Sequence, residues 1–247
     1  MSSVALDNTW MRQMFDAVPQ RYNRLNRIIT FGRDEAWRQK ALEAIEAKDG
    51  DRILDICTGT GDLALKIAKW RPKAEIYAVD FSPHMLAAAK ERARQLNVQN
   101  IVFKEDDCLE LSFPDKHFDY ITISFGFRNL SFSMANLETA LKEMRRLLKD
   151  GARLIILETC QPVNKFIRKI FHFYAKAIVP RLGAFFSDSE AAYSYLGASI
   201  VRFFDKDEMS GVIEPCGFEK KSVRPFLFGT ISLWIFQKRQ LSGEDEI

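Results

Sequence analysis

The chain has 247 residues, 47% of them hydrophobic, which is enough to bury the core of one large α/β domain with additions or of two small ones. Its 36 basic and 33 acidic residues leave a net charge of +3, too balanced to argue for nucleic acid as a partner, and no run reaches the roughly 18 apolar residues a membrane span requires. Cys57, Cys108, Cys160 and Cys216 stand far apart with no C-x-x-C pair, which points away from a disulfide framework or zinc site and toward reduced thiols in a soluble cytoplasmic protein.

In chain order, the first apolar periodicity starts at Trp10. Met11, Met14, Phe15 and Val18 recur at helical spacing, Pro19 interrupts, and Tyr22, Leu25, Ile28 and Ile29 resume it, which reads as two helices. Arg12, Arg21, Arg24, Arg27 and Arg33 make this segment basic, either as a solvated face or as a cap over a ligand cleft. Trp37, Leu42 and Ile45 continue a third helix before the turn Lys48-Asp49-Gly50-Asp51.

Residues 52–64, RILDICTGTGDLA, then run an apolar strand into a glycine turn and a helix. Ile53, Leu54 and Ile56 supply the strand, Asp55 lies near its end, and Gly59 and Gly61 let the backbone turn tightly and approach a ligand. Gly59-x-Gly61-x-x-Ala64 also fits the dinucleotide fingerprint. A pyrophosphate would sit on the helix N-terminus, where Asp62 stands, with Asp55 just before the turn. Two carboxylates repel a diphosphate and suit a ligand carrying an ammonium and a sulfonium, so the turn favours S-adenosylmethionine over NAD. A strand-turn-helix without a ligand is the third reading.

Leu63, Leu65, Ile67 and Ala68 read as helix, and Glu75 to Asp80 as a second strand. Asp80 falls about twenty residues past the glycines, the interval at which an acid accepts hydrogen bonds from ribose hydroxyls; the alternative is a cap for the helix that Ser82 and Pro83 open and that runs from Met85 to Leu96. After a short strand Ile101 to Phe103, Glu105-Asp106-Asp107-Cys108 either accepts the adenine amino group or forms a polar loop. A strand Phe118 to Phe125, a helix Met134 to Leu148 and a strand Arg153 to Glu158 complete a strand-helix rhythm that predicts a doubly wound, mainly parallel sheet. Ligands of such sheets lie beyond the carboxyl ends of the strands.

Across 161–186, Lys165, Arg168, Lys169, His172 and Lys176 share one helical face, Phe166, Ile167, Ile170, Phe171, Tyr174 and Ile178 crowd the rest, and no acid interrupts. The reading is a lid packed on the sheet, a helix lying on an anionic membrane surface, or both. Asp207 to Gly217 gives another helix, and Phe218 to Val223 with Thr230 to Lys238 a closing hairpin at the sheet edge. His84, His117 and His172 are scattered, which argues against a histidine base or a metal site.

Several stretches together resemble one family. Phe15-Asp16-Ala17-Val18 with Arg21-Tyr22-Asn23 and Leu25-Asn26, Thr58-Gly59-Thr60-Gly61-Asp62-Leu63-Ala64, Ile121 through Asn129, and later Tyr193 with Tyr195-Leu196 and Ser199-Ile200 are similar to the C-methyltransferases of menaquinone and ubiquinone biosynthesis. The likeness covers roughly residues 11–238. It implies a single class I, Rossmann-like S-adenosylmethionine-dependent methyltransferase domain over residues 1–247, with a seven-stranded sheet, an N-terminal helical cap over 10–48 and a helical lid insertion over 161–205.

The resemblance assigns Thr60, Asp80, Asp107, Cys108 and Ser124 to the S-adenosylmethionine pocket, beside Asp55, Gly59 and Gly61 from the turn. It makes Arg128 and Asn129 catalytic and puts Phe15, Tyr22, Arg128 and Tyr195 at the substrate. A guanidinium stays protonated and cannot be an ordinary base, but its charge lowers a nearby phenol's pKa by about one to three units. The implied reaction methylates a ring carbon of a demethylated prenyl quinol, foremost demethylmenaquinol. A ubiquinone-pathway benzoquinol or another phenol is the alternative acceptor, and a catalytically silent subunit of a quinone-synthesis assembly the non-enzyme alternative. The implied partners are the lipid-soluble quinol and an anionic membrane surface at the inner face of the membrane; a homodimer is compatible with the sequence.

Overall fold

The structure, a computed structural model, describes residues 25–186 and 190–240. Phe15, Tyr22 and the first expected helix lie outside these residues; 25–29 are helical, and Leu25 is buried. Helix α1 (Asp34–Glu43) buries Trp37, Ala41 and Leu42 and leads to β1 (Arg52–Ile56). The chain continues through α2 (Asp62–Trp70), β2 (Glu75–Asp80), α3 (Pro83–Gln95), β3 (Ile101–Glu105), β4 (Phe118–Ser124), the short α4 (Phe127–Leu130), α5 (Met134–Leu147) and β5 (Leu148–Thr159). Beyond β5 lie α6 (Lys165–Phe173), a wide π-type turn over Tyr174–Ile178, α7 (Val179–Phe186), α8 (Glu190–Arg202) and α9 (Lys206–Ile213). The hairpin of β6 (Phe218–Phe226) and β7 (Ile231–Lys238) closes the sheet.

The seven strands pair in the order β3-β2-β1-β4-β5-β7-β6, with β7 antiparallel to both neighbours and the other pairs parallel. This is the expected seven-stranded, mainly parallel architecture. The strand order reverses between β1 and β4, and the chain crosses to opposite halves of the sheet from there, so a crevice opens beyond their carboxyl ends.

Local chemistry explains most boundaries. Ser82 accepts the Met85 N–H and Pro83 fills the first helical position, starting α3; Ser133 does the same for α5 through Asn136, and Asp205 with Glu208 forms a reciprocal capping box on α9. The expected helix from Asp207 to Gly217 stops at Ile213, where a 3-10 turn leads into Gly217 at φ +88°. The strand expected from Arg153 begins at Leu148, with its register against β4 shifting between Phe118 and Tyr120. The basic segment expected as one helix is helical without a break, widened by the π-type turn, and α6 buries none of its residues.

Both faces of the sheet are covered. Leu54 and Ile56 face one cluster with Leu141 and Met144 of α5 and Met209 and Ile213 of α9; Ile53 faces the other, with Trp37, Leu42, Leu63 and Ile67. A strand buried on both faces reads as a nearly continuous apolar run, and a polar residue inside it must find partners. Leu54→Ala, which empties a fully buried site at the centre of the sheet, is expected to lower the unfolding free energy by about 2–5 kcal/mol in urea titration; a loss under about 1 kcal/mol would mean the sheet centre is not packed as described.

Candidate active site

Asp55 is the polar residue inside that apolar run. Its neighbour across the β1–β4 pairing is Thr122, whose hydroxyl donates to Oδ1 at 2.6 Å, and Thr58 at the start of the turn donates to Oδ2 at 2.6 Å. Burial pushes the Asp55 carboxyl up to about 6, against the opposing pull of those two hydroxyls and of Arg38.

Asp80 ends β2 and reaches back to the turn, accepting the Gly59 N–H at 2.8 Å on one oxygen and the Ser82 N–H at 3.0 Å on the other. Ser82 itself caps α3, which removes the alternative reading of Asp80 as that helix's cap. Gly59 and Gly61 both take left-handed φ, +56° and +78°, and a Cβ on Gly61 would press within 3.2 Å of Ala89. At the end of β4, a Cβ on Gly126 would stand 2.5 Å from that of Cys57, so only glycine lets the ends of β1 and β4 approach this closely.

These strand ends open into a cavity of about 670 Å³, within the size range of small-molecule sites. Asp55, Gly59, Thr60, Asp80, Asp107, Cys108, Ser124 and Asn129 all line it. Gly61 does not; it shapes the turn behind the cavity. Asp107 holds the loop after β3 by accepting the Leu109 N–H at 3.0 Å, and Cys108 touches Cys57, a contact that raises the Cys57 pKa ahead of burial and keeps that thiol neutral. Ser124 Oγ and Asn129 Oδ1 are buried with no hydrogen-bond partner among the described residues. Two buried polar atoms on residues of one cavity thus lack a partner from the described chain and are open to a bond from water or ligand.

Two features escaped the sequence reading. Arg38 of α1 is buried, lines the cavity, pairs with Asp34 and with Asp62 at 3.2 Å, and keeps a buried Nε without a partner among the described residues. Asp62, expected to stand free and repel a diphosphate, is instead held between Arg38 and Arg92, the latter at 2.6 Å. That part of the argument against a dinucleotide is corrected: the charge at the helix N-terminus is balanced. The cavity presents the Asp55 and Asp80 carboxylates together with the Arg38 guanidinium, a donor set that fits a zwitterionic amino-acid end, a sulfonium and a ribose.

Arg128 lies one residue from the cavity wall, and its side chain turns away. Its Nη1 donates to Glu158 at 2.7 Å and to Thr159 at 3.2 Å, its Nε to Ser199 of α8 at 2.9 Å, and its backbone N–H to the second Glu158 oxygen at 3.1 Å. Glu158 is wholly buried, so the pair is a neutral bolt between α4, the end of β5 and the inserted helices. Tyr195 of α8 packs its ring 6.2 Å from cavity-lining Phe132, and burial raises its pKa while nearby Arg128 lowers it.

The strand order, with its switch point and cavity, is that of the class I methyltransferase fold. The chain belongs to the ubiE/COQ5 methyltransferase family, whose model matches residues 3–238. It is 36% identical over 231 residues to a protein of Deinococcus radiodurans named demethylmenaquinone methyltransferase, covering 93% of this chain and 92% of the relative. A Bacillus cytotoxicus protein of the same name is 35% identical over 224 residues, covering 90% and 93%. Among solved structures, a SAM-dependent methyltransferase from Aquifex aeolicus superposes with a TM-score of 0.61 at 20% identity over 87% of this chain and 96% of its own. The [4+2]-cyclase SpnF does so with 0.70 at 16% over 96% and 98%. These structural likenesses establish the fold alone, and the cyclase illustrates that one fold hosts different chemistries. With the family shown, the chain is a methyltransferase, and S-adenosylmethionine is its cofactor.

Two measurements check this geometry. The folded state holds the Asp55 proton to about pH 6 and the unfolded state to about pH 4, so this group's contribution to stability falls as pH rises through that window. A cationic ligand favours the ionised carboxylate, so S-adenosylmethionine affinity by calorimetry should rise up to about tenfold from pH 5 to pH 7, with the slope abolished in Asp55→Asn; a pH-independent wild type would contradict the placement. Arg128→Met leaves a buried charge unpaired and should cost about 3–5 kcal/mol of stability, most of it restored by adding Glu158→Gln. Equal melting of single and double variants would show that the pair is not buried.

Proposed function

We propose that this methyltransferase transfers the methyl group to a ring carbon of a demethylated prenyl quinol, converting demethylmenaquinol to menaquinol. The reading is supported by the names of the relatives that match most of the chain and by one feature of the cavity, the unpartnered Asn129 Oδ1. S-adenosylmethionine supplies an electrophilic methyl on a sulfonium, and Asp55, Gly59, Thr60, Asp80, Asp107, Cys108 and Ser124 would hold it, with Arg38 toward its carboxylate.

The ring carbon becomes nucleophilic when the adjacent hydroxyl gives up its proton, yet a phenol ionises only near pH 10 unless assisted. In this reading Asn129 Oδ1 orients the hydroxyl and fixes the ring plane while water takes the proton. The ring carbon then bonds to the methyl as the carbon–sulfur bond breaks and S-adenosylhomocysteine leaves, and the displaced ring hydrogen departs to water as a proton, restoring the aromatic ring. Arg128, bolted to Glu158 and Ser199, holds Asn129 and helix α8 in register and acts on the substrate site only through them, with Tyr195 and Phe132 flanking the ring. Holding the reacting atoms in line contributes on the order of 7–11 kcal/mol at most, with no covalent chemistry by the protein. Phe15 and Tyr22, the other substrate residues the family resemblance implies, lie outside the described residues.

Incubation with labelled S-adenosylmethionine and reduced short-chain demethylmenaquinone, with a demethylated benzoquinol in parallel, tests the reading by locating the methyl through mass spectrometry. Ring methylation of the naphthoquinol is expected; no transfer to it would overturn the proposal, and transfer to the benzoquinol alone would move the substrate to the ubiquinone series. Asn129→Ala should lower kcat by about 10²–10³-fold while the cofactor Kd stays nearly constant. A lost cofactor affinity would instead make Asn129 part of the cofactor site.

A further inference from the structure

Helix α6 sits outside the core, and its exposed positions are apolar at helical spacing. Val163 just ahead of it, then Phe166, Ile170 and Phe173, recur three, four and three residues apart, and Phe166 is 72% exposed. Isolated exposed apolar residues are ordinary, but a continuous stripe is not. Two further elements extend it. The Tyr174 hydroxyl donates to the Ile29 carbonyl at 2.7 Å and its ring lies 5.9 Å from that of Phe31, which is 73% exposed. The turn between β6 and β7 abuts Pro162, where a Cβ on Gly229 would lie 3.7 Å from its Cα, and carries Phe228, 78% exposed.

Phe31, Leu227 and Phe228 all take left-handed backbone conformations, φ +53°, +44° and +57°. Bulky residues rarely do so, and here the unfavourable geometry serves to hold apolar side chains outward.

Along one border of the stripe stand exposed Lys165, Lys169 and Lys176, and residues 161–186 contain no acid. Arg168 is turned to Asp205 at 3.9 Å and is not part of this row. No helix among the described residues is long and apolar enough to cross a membrane. A second copy of the chain is a poor occupant, since a two-fold contact through this face would set lysines against lysines.

We propose that this face docks on the surface of an anionic bilayer, with Phe31, Phe166, Ile170, Phe173 and Phe228 inserted at the headgroup level and Lys165, Lys169 and Lys176 against the lipid phosphates. A half-inserted basic amphipathic helix is the expected form of such contact. Helix α6 leads through the π-type turn into the lid helices that Arg128 bolts to the site, so docking would bring a lipid-dissolved substrate beside the cavity. That purpose rests on the quinol reading; the docking itself does not.

Flotation of the purified full chain with vesicles of phosphatidylcholine, alone or mixed with phosphatidylglycerol, tests the proposal. Binding to the mixed vesicles is expected, weakening with salt, and far less to phosphatidylcholine alone. The variant Lys165→Glu/Lys169→Glu should lose at least about tenfold in affinity for the mixed vesicles. Phe166→Ser/Phe173→Ser should lose a similar factor, with melting temperature and cofactor affinity unchanged. Should the phenylalanine variant fail to fold, the lysine variant decides. Absence of wild-type binding, undiminished binding by the variants, or conversion of a dimer to a monomer by the phenylalanine changes would overturn the proposal. Flotation needs no quinol, so intact docking without methyl transfer would reject the substrate and leave this surface standing.

Discussion

Asp55 and Asp80 end adjacent parallel strands, and both turn their carboxylates onto the glycine turn. Asp55 takes hydroxyl hydrogen bonds from Thr58 and Thr122; Asp80 takes backbone N–H bonds from Gly59 and Ser82. The turn is thereby tied to three strands and to the start of α3, and the crevice at the β1–β4 reversal keeps its shape. Burial above all, with a small addition from the neighbouring Asp80 charge, holds Asp55 near a pKa of about 6. A ligand bringing positive charge favours the ionised carboxylate, and one bringing a diphosphate opposes it.

The other charges are arranged in closed groups. Asp62 is balanced by Arg38 and Arg92, and Glu158 is balanced by Arg128. A buried pair of this kind adds little net stability, because desolvation offsets most of the attraction, but it fixes geometry. Here it fixes where the inserted helices sit relative to the end of β5, and so how the substrate side of the cavity meets the cofactor side.

Much of this was legible in the sequence because it depends on short-range rules. The apolar runs of the strands, the start of α3 at Ser82 and Pro83, and the interval from the glycines to Asp80 are local, and the structure keeps them. What the sequence hid depends on distant partners. Arg38 reads as a polar position of an ordinary helix until folding puts it on the cavity wall. Asp62 reads as a free acid until Arg38 and Arg92 arrive from two other helices. Arg128 reads as a cation aimed at substrate until Glu158 is seen buried against it. For α6, periodicity finds the apolar stripe but cannot tell whether anything covers it, and among the described residues Phe166, Ile170 and Phe173 are exposed.

The central claim is that the glycine turn with its flanking acids selects a cationic nucleoside over a dinucleotide. A thermal shift experiment tests it most directly, with S-adenosylmethionine and NADH compared at equal concentration. At about one hundred times its Kd a ligand adds about 2.7 kcal/mol, which for a chain of this size raises the melting temperature by roughly 5–10 °C. S-adenosylmethionine should produce that rise and NADH none. A rise with NADH and none with S-adenosylmethionine would contradict the account at its foundation.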